Sequence, residues 1–174
     1  MDEFWKKGYE STSLSDLCCC TGLHRGSLYQ AFGDKHQLFM RSLNHYADRE
    51  FREVADVALQ QDSPLDSIRA LVRTVCDHAA EGRGCLMINS MVELAPHDPE
   101  VRDMLALEGQ RRIGVMTELL TKAQELGEIR AELDPLRLAQ QLMVGLAGSA
   151  ALVKGLITTG EVMDLLESMI DLWT

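Results

Sequence analysis

Ser13-Leu14-Ser15-Asp16-Leu17-Cys18-Cys19-Cys20-Thr21-Gly22-Leu23-His24-Arg25-Gly26-Ser27-Leu28-Tyr29-Gln30-Ala31-Phe32 is the stretch that decides the fold. Ser13 can cap a short helix running through Cys20, with Asp16 three positions later reaching back to it. Thr21-Gly22-Leu23 reads as a tight turn, and Gly22 suits a left-handed backbone. A second short helix follows from about His24 to Ala31. Two short helices joined by a three-residue turn with glycine form the helix-turn-helix pattern. Leu14 and Leu17 pack the first helix, and Leu28 and Phe32 the second. His24, Arg25, Ser27, Tyr29 and Gln30 are left facing outward or to the side. Such a helix start can meet base edges and phosphates in a major groove. Helical hairpins with glycine turns also occur as plain structure, so spacing alone leaves both readings open.

Outside this stretch the periodicity stays helical, and no run alternates apolar with polar residues long enough to predict a strand. Phe4 to Lys7 reads as the tail of a helix stopped by Gly8. Gly33-Asp34 breaks the second short helix, and Asp34 caps a long one from Lys35 to roughly Leu59. Leu38, Phe39, Leu43, Tyr46, Ala47, Phe51, Val54 and Ala58 form its apolar stripe. Ser63-Pro64, Asp98-Pro99 and Asp134-Pro135 each combine a cap with proline at the first helical position. They predict helices to about Glu81, Gly127 and Ile157. Gly82-Arg83-Gly84 separates the first of these from Cys85–Ala95, which is apolar nearly all round and is expected to be central. A last helix runs from about Glu161 to Trp173. The expected fold is all-α, with eight helices and the stub of a ninth.

Composition narrows the function class. Hydrophobic residues are 46% and charged residues 25% of 174, the balance of a globular protein. No run approaches the ~20 apolar residues a membrane span needs. Asp2, Glu3, Lys6 and Lys7 do not suit a signal peptide, so a cytoplasmic location without membrane association is expected. Three of the five cysteines are consecutive, and on a helix their side chains diverge by about 100° each. They suit neither a disulfide framework nor one tetrahedral metal, and no metal or cofactor is expected. The net charge is −10, yet residues 1–50 carry six Lys/Arg against seven Asp/Glu, which leaves −9 beyond residue 50. From Thr21 to Arg49, four basic residues face two acidic ones, a weakly basic patch on an acidic body. There is no phosphate-cradling glycine loop, HExxH motif or nucleophile elbow. His24, His36, His45, His78 and His97 are scattered, so no catalytic residues are assigned.

Three segments together carry a resemblance. They are Gly8-Tyr9-Glu10-Ser11-Thr12-Ser13-Leu14, then Thr21 through Lys35, then Leu38-Phe39, and they resemble the signature of TetR/AcrR regulators over about residues 4–45. The resemblance implies a helix-turn-helix DNA-binding domain over 1–45 and an effector-binding and dimerisation domain over 46–174. It further implies a repressor that leaves double-stranded operator DNA when a small molecule binds. Carried over by position, Thr12 and Tyr29 resemble phosphate contacts, and Lys35 the contact at the start of the long helix. His24 and Arg25 stand where bases are touched, Gly26 where close approach is needed, and Ser27 where a phosphate can be bonded. Of a first helix, only the tail Phe4-Trp5-Lys6-Lys7 is read before Gly8, so that helix reads as truncated and lacks a basic arm. That leaves open a dimeric ligand-binding relative that has lost DNA binding.

In such regulators the helices at 63–127 surround the effector. Cys85, Asn89 and Glu93 recur every four residues and share one stripe, while Met87, Met91, Met104 and Met116 add adaptable surface. Cys85, Asn89, Glu93, Met87, Met91 and Met116 are therefore the expected ligand contacts. For Asn89 and Glu93, a hydrogen-bond brace between helices is the alternative. Cys85 follows Gly84 at a helix N-terminus, which lowers a thiol pKa and suits a sensing cysteine; an inert buried cysteine is the alternative. Leu142, Leu146, Leu165, Met169 and Trp173 are the expected homodimer interface, helped by Gly145, Ala147, Gly148, Ala150 and Ala151. Two reading heads on a two-fold axis require a palindromic site.

Overall fold

The computed structural model describes residues 1–79 and 84–174. Among them are nine helices and no strand: α1 (Asp2–Lys7), α2 (Leu14–Thr21), α3 (Arg25–Phe32), α4 (Lys35–Ala58), α5 (Pro64–Ala79), α6 (Leu86–Glu93), α7 (Pro99–Glu125), α8 (Pro135–Leu152) and α9 (Thr159–Asp171). The cap-plus-proline signals act as expected. Ser63 Oγ accepts from the Asp66 amide, Asp98 Oδ1 from Glu100 and Val101, and Asp134 Oδ1 from Leu136. The expected end of α5 at Glu81 and the break at Gly82-Arg83 lie outside the described residues. None of the described helices is long and apolar enough to cross a membrane.

The chain divides into two compact units, neither contiguous in sequence. One comprises Met1–Arg49 with Leu86–Leu105; the other comprises Glu50–Cys85 with Ala106–Thr174. In the first, Phe39 of α4 meets Phe4 edge-on at 5.2 Å and Tyr9 at 5.0 Å, while Trp5 meets Tyr46 at 5.0 Å. Leu17, Leu28, Leu38, Leu43 and Ala47 complete its buried centre. The α4 stripe is fully buried only over this half; Phe51, Val54 and Ala58 are half-exposed. α6 was expected to be enclosed by the chain, but Val92 is 76% and Met91 43% exposed.

The second unit is a bundle of α5, α8, α9 and most of α7. Ile68, Val72, Met116, Leu120, Leu142, Leu166, Ile170 and Trp173 form its core. Arg69 binds Glu167 and lies 2.6 Å from Asp171, and Arg73 lies 2.9 Å from Glu167, tying α5 to α9. Arg112 sits between two carboxylates, Glu108 at 2.7 Å and Glu50 at 3.1 Å, and Glu50 is itself buried. Burial pushes the Cys76 thiol up to about 11, so it stays protonated within the core.

The expected dimer residues do not share one role. Leu142, Leu146 and Trp173 are at most 8% exposed and pack inside a single chain, so they offer little surface to a partner. Met169 is half-buried against the same core. Leu165 is 65% exposed. α8 carries apolar residues on more than one face, and the intrachain core claims the face holding Leu142 and Leu146.

Candidate nucleic-acid interface

The helix-turn-helix forms from local chemistry. Ser13 and Asp16 close a reciprocal capping box: the Asp16 amide donates to Ser13 Oγ, and the Ser13 amide donates to Asp16 Oδ2 at 2.8 Å. Gly22, at φ 68, ends α2 in the left-handed region that a Cβ disfavours. The Thr21 hydroxyl donates to the Leu17 carbonyl and accepts from the Leu23 amide, satisfying the turn. His24 then opens α3 from an extended backbone, and the Gly33 amide closes it on the Tyr29 carbonyl.

Within α3 only Leu28 is fully buried, anchoring the helix at 1% exposure. Arg25, Gly26, Ser27, Gln30 and Ala31 are exposed, as is the capping residue His24, while Tyr29 and Phe32 are half-buried. The Arg25 guanidinium lies 5.4 Å from the Tyr29 ring centroid, and a Cβ built on Gly26 would meet nothing within 4 Å. His24 to Ala31 is thus a surface rod with an open, small-residue start. It presents a cation, a hydroxyl and an amide, the groups that read base edges and phosphates.

The remaining expected contacts lie outside α3. Lys35 is half-buried, its ammonium 4.4 Å from the Tyr9 ring centroid and 3.5 Å from the Glu10 carbonyl. Thr12 requires a correction. It is fully buried, and its hydroxyl donates to the Gly8 carbonyl at 2.6 Å, so its side chain has no surface to offer a phosphate. Threonine carries the same hydroxyl for a phosphate or for a nearby carbonyl; here the turn at Gly8 brings the carbonyl back to it. Burial, then the negative charges of Glu10, Asp34 and Asp98, raise the Tyr9 phenol, which stays protonated at neutral pH.

Lys7 Nζ lies 2.7 Å from Asp16 and 3.1 Å from Glu3, linking α1 to the capping box. The Lys7 ammonium, followed by the Ser13 hydroxyl and amide, holds the Asp16 carboxyl well below the usual carboxylate range. The unfolded chain therefore takes up this proton first. The stabilisation is complete above about pH 4 and is lost as pH falls through the lowered folded value. Asp16→Asn is expected to flatten the acid limb of the pH–stability curve followed by circular dichroism. An unchanged acid limb would remove Asp16 from the account.

The expected ligand contacts fall in both units. Met87, Asn89, Met91 and Glu93 belong to the unit that contains the helix-turn-helix; Cys85, half-buried, and Met116, 2% exposed, belong to the other. Both Glu93 oxygens are occupied, accepting the Tyr9 amide at 3.0 Å and the Glu10 amide at 2.9 Å. His36 Nε2 lies 2.7 Å from the Asp98 carboxylate, tying the start of α4 to the cap of α7. Neither tie is visible in sequence spacing. The available signal was Gly8, read as a helix stop alone.

Two family models match this chain. "Bacterial regulatory proteins, tetR family" covers residues 1–41, and "Tetracyclin repressor-like, C-terminal domain" covers 64–168. The chain belongs to the TetR family. It is a helix-turn-helix transcriptional regulator and not an enzyme. The HTH-type transcriptional repressor ComR of Escherichia coli K12 is 27% identical over 177 residues, 99% of this chain and 84% of its own. The regulator YezE of Bacillus subtilis 168 is 28% identical over 135 residues, 76% and 70% of the two chains. Among solved structures, a cysteine-substituted form of the TetR-family regulator CifR superposes with a TM-score of 0.87 at 27% identity. The match covers 99% of this chain and 92% of CifR, which was captured on a 26-bp double-stranded operator. A TetR regulatory protein from Rhodobacter sphaeroides shares the fold, with a TM-score of 0.89 at 21% identity over 99% and 94% of the chains.

Proposed function

We propose that this TetR-family regulator is a repressor that docks as a homodimer on a palindromic operator and is released by a small-molecule effector. The observation that carries the reading is the exposed α3 rod, held at Leu28 and open at Gly26. α3 enters a major groove, with Arg25 and His24 at base edges and Ser27 and Tyr29 toward phosphates. Lys35 adds a cation beside the rod. The operator-bound state of CifR supports a duplex partner for the same architecture.

The two copies meet through the exposed faces of α8 and α9. Val144 is 73%, Leu165 65% and Leu172 72% exposed, and a Cβ on Gly148 would meet open space. These positions recur at helical spacing and offer apolar area with room for close approach. The effector acts through the C-terminal domain at 64–168.

A fluorescence anisotropy titration of duplexes selected from a randomised pool tests the reading. Affinity is expected to fall steeply with salt, with log K changing by about 0.9 per log unit for each phosphate contacted. Arg25→Ala should weaken the selected duplex by about 5- to 150-fold, the discrimination of one good base contact, without changing the helical signal. Salt-independent or absent duplex binding would leave a dimeric ligand-binding relative without DNA recognition.

A further inference from the structure

We propose that Glu93 is a positioning residue for DNA recognition: its carboxylate pins the turn that enters the helix-turn-helix and thereby sets operator affinity. The assignment rests on the repressor reading above and extends it to a residue far from the recognition helix.

The geometry is that of a built clamp. Both oxygens of one carboxylate accept successive backbone amides, Tyr9 at 3.0 Å and Glu10 at 2.9 Å. Gly8, immediately before them, has φ 82, and a Cβ there would stand 2.8 Å from Glu93 Oε2. Gly8 is thus required twice, once for its backbone angle and once for the space the carboxylate fills. The Gly8 carbonyl accepts the Thr12 hydroxyl, and Thr12 directly precedes the capping residue Ser13. An unbroken chain of bonds therefore runs from Glu93 through residues 8–12 to the first turn of α2. Glu93 is 84 residues from Tyr9 in sequence, and its side chain is half-buried. It makes no direct contribution to the α3 surface, so its effect on DNA is through position.

A carboxylate has no proton to place wrongly, so it can accept two amides at once. Glutamine of the same length presents an NH2 group to one of those amides, setting donor against donor. Glu93→Gln therefore releases at least one side of the turn while keeping the side-chain volume. Losing a charge-assisted bond of this kind predicts at least a roughly tenfold loss of operator affinity.

The test uses the full chain and the tightest palindromic duplex that the wild type selects from a randomised pool. Glu93→Gln is expected to lose at least about tenfold in affinity with an unchanged salt slope, because no phosphate contact has been removed. Dimer mass and the thermal transition should stay near wild type. Amide exchange at Tyr9 and Glu10 should accelerate while Leu28 and its neighbours stay protected. A double-mutant cycle adds the specific signature: Gly8→Ala should cost roughly tenfold in the wild type but only about threefold in Glu93→Ala, where the clash with the carboxylate is gone.

Wild-type affinity in Glu93→Gln, or additive losses across the cycle, would overturn the assignment. So would an affinity loss no greater than the fraction of protein unfolded in the assay, since Glu93 would then serve the fold alone. If the wild type itself selects no duplex, the repressor reading fails first, and the assignment falls with it.

Discussion

Replacing Phe39 with alanine is expected to make the N-terminal unit unfold in denaturant well before the helical bundle. Phe39 is 1% exposed and meets the rings of Phe4 at 5.2 Å and Tyr9 at 5.0 Å. Truncating a buried phenylalanine costs about 3–5 kcal/mol, and each lost ring contact adds about 0.5–1.5 kcal/mol. Whole small domains are stable by only about 5–15 kcal/mol, so this one substitution removes most of the margin. The two tryptophans allow the units to be followed separately: Trp5 lies in the first unit and Trp173 in the second. In a Trp173→Phe background, Trp5 fluorescence should report early unfolding of Phe39→Ala in denaturant. A Trp5 transition within about 1 kcal/mol of the parent would contradict the packing described, given the usual cost of such a cavity.

Introducing a charge at Leu165 should break the proposed dimer into monomers and abolish tight operator binding. Leu165 is 65% exposed in the single chain and stands with Val144 and Leu172 on the proposed contact face. Leu165→Glu places a carboxylate opposite its own copy across a two-fold axis, so each interface gains two buried charges. Loss of the second reading head should lower affinity for a full palindrome by about 100-fold or more, the usual gain from tethering two sites. Sedimentation should show a monomer with unchanged helicity. Leu142→Ala is the contrasting control: Leu142 is fully buried within the chain, so it should cost about 2–5 kcal/mol of stability and leave association intact. A persistent Leu165→Glu dimer would place the interface elsewhere.

These contrasts show where sequence reasoning reached and where it stopped. Helix starts were legible because caps are local: Ser13 with Asp16, Ser63 with Pro64, Asp98 with Pro99 and Asp134 with Pro135 each carry their chemistry within four residues. The exposure of α3 was legible for the same reason, since Leu28 alone among its central residues demands burial. Thr12 was not, because its hydroxyl suits a phosphate or a nearby carbonyl equally, and the turn at Gly8 decides between them. Leu142 and Leu165 also look alike in sequence. Periodicity marks an apolar stripe but does not say whether its neighbour belongs to the same chain or to another copy. Glu93 stood out as a pocket contact or a brace, but its partners did not, since they are backbone amides that carry no residue signature.

The discontinuous make-up of the N-terminal unit bears on protein engineering. Because residues 86–105 belong to it, a fragment ending at Arg49 would carry the recognition helix without α6 or the cap of α7. The Tyr9 and Glu10 amides would then turn to solvent, and His36 would lose the Asp98 carboxylate. Grafting this reading head onto another regulator's body therefore requires two transplanted pieces, and a junction after α4 alone would deliver specificity with a loosened scaffold.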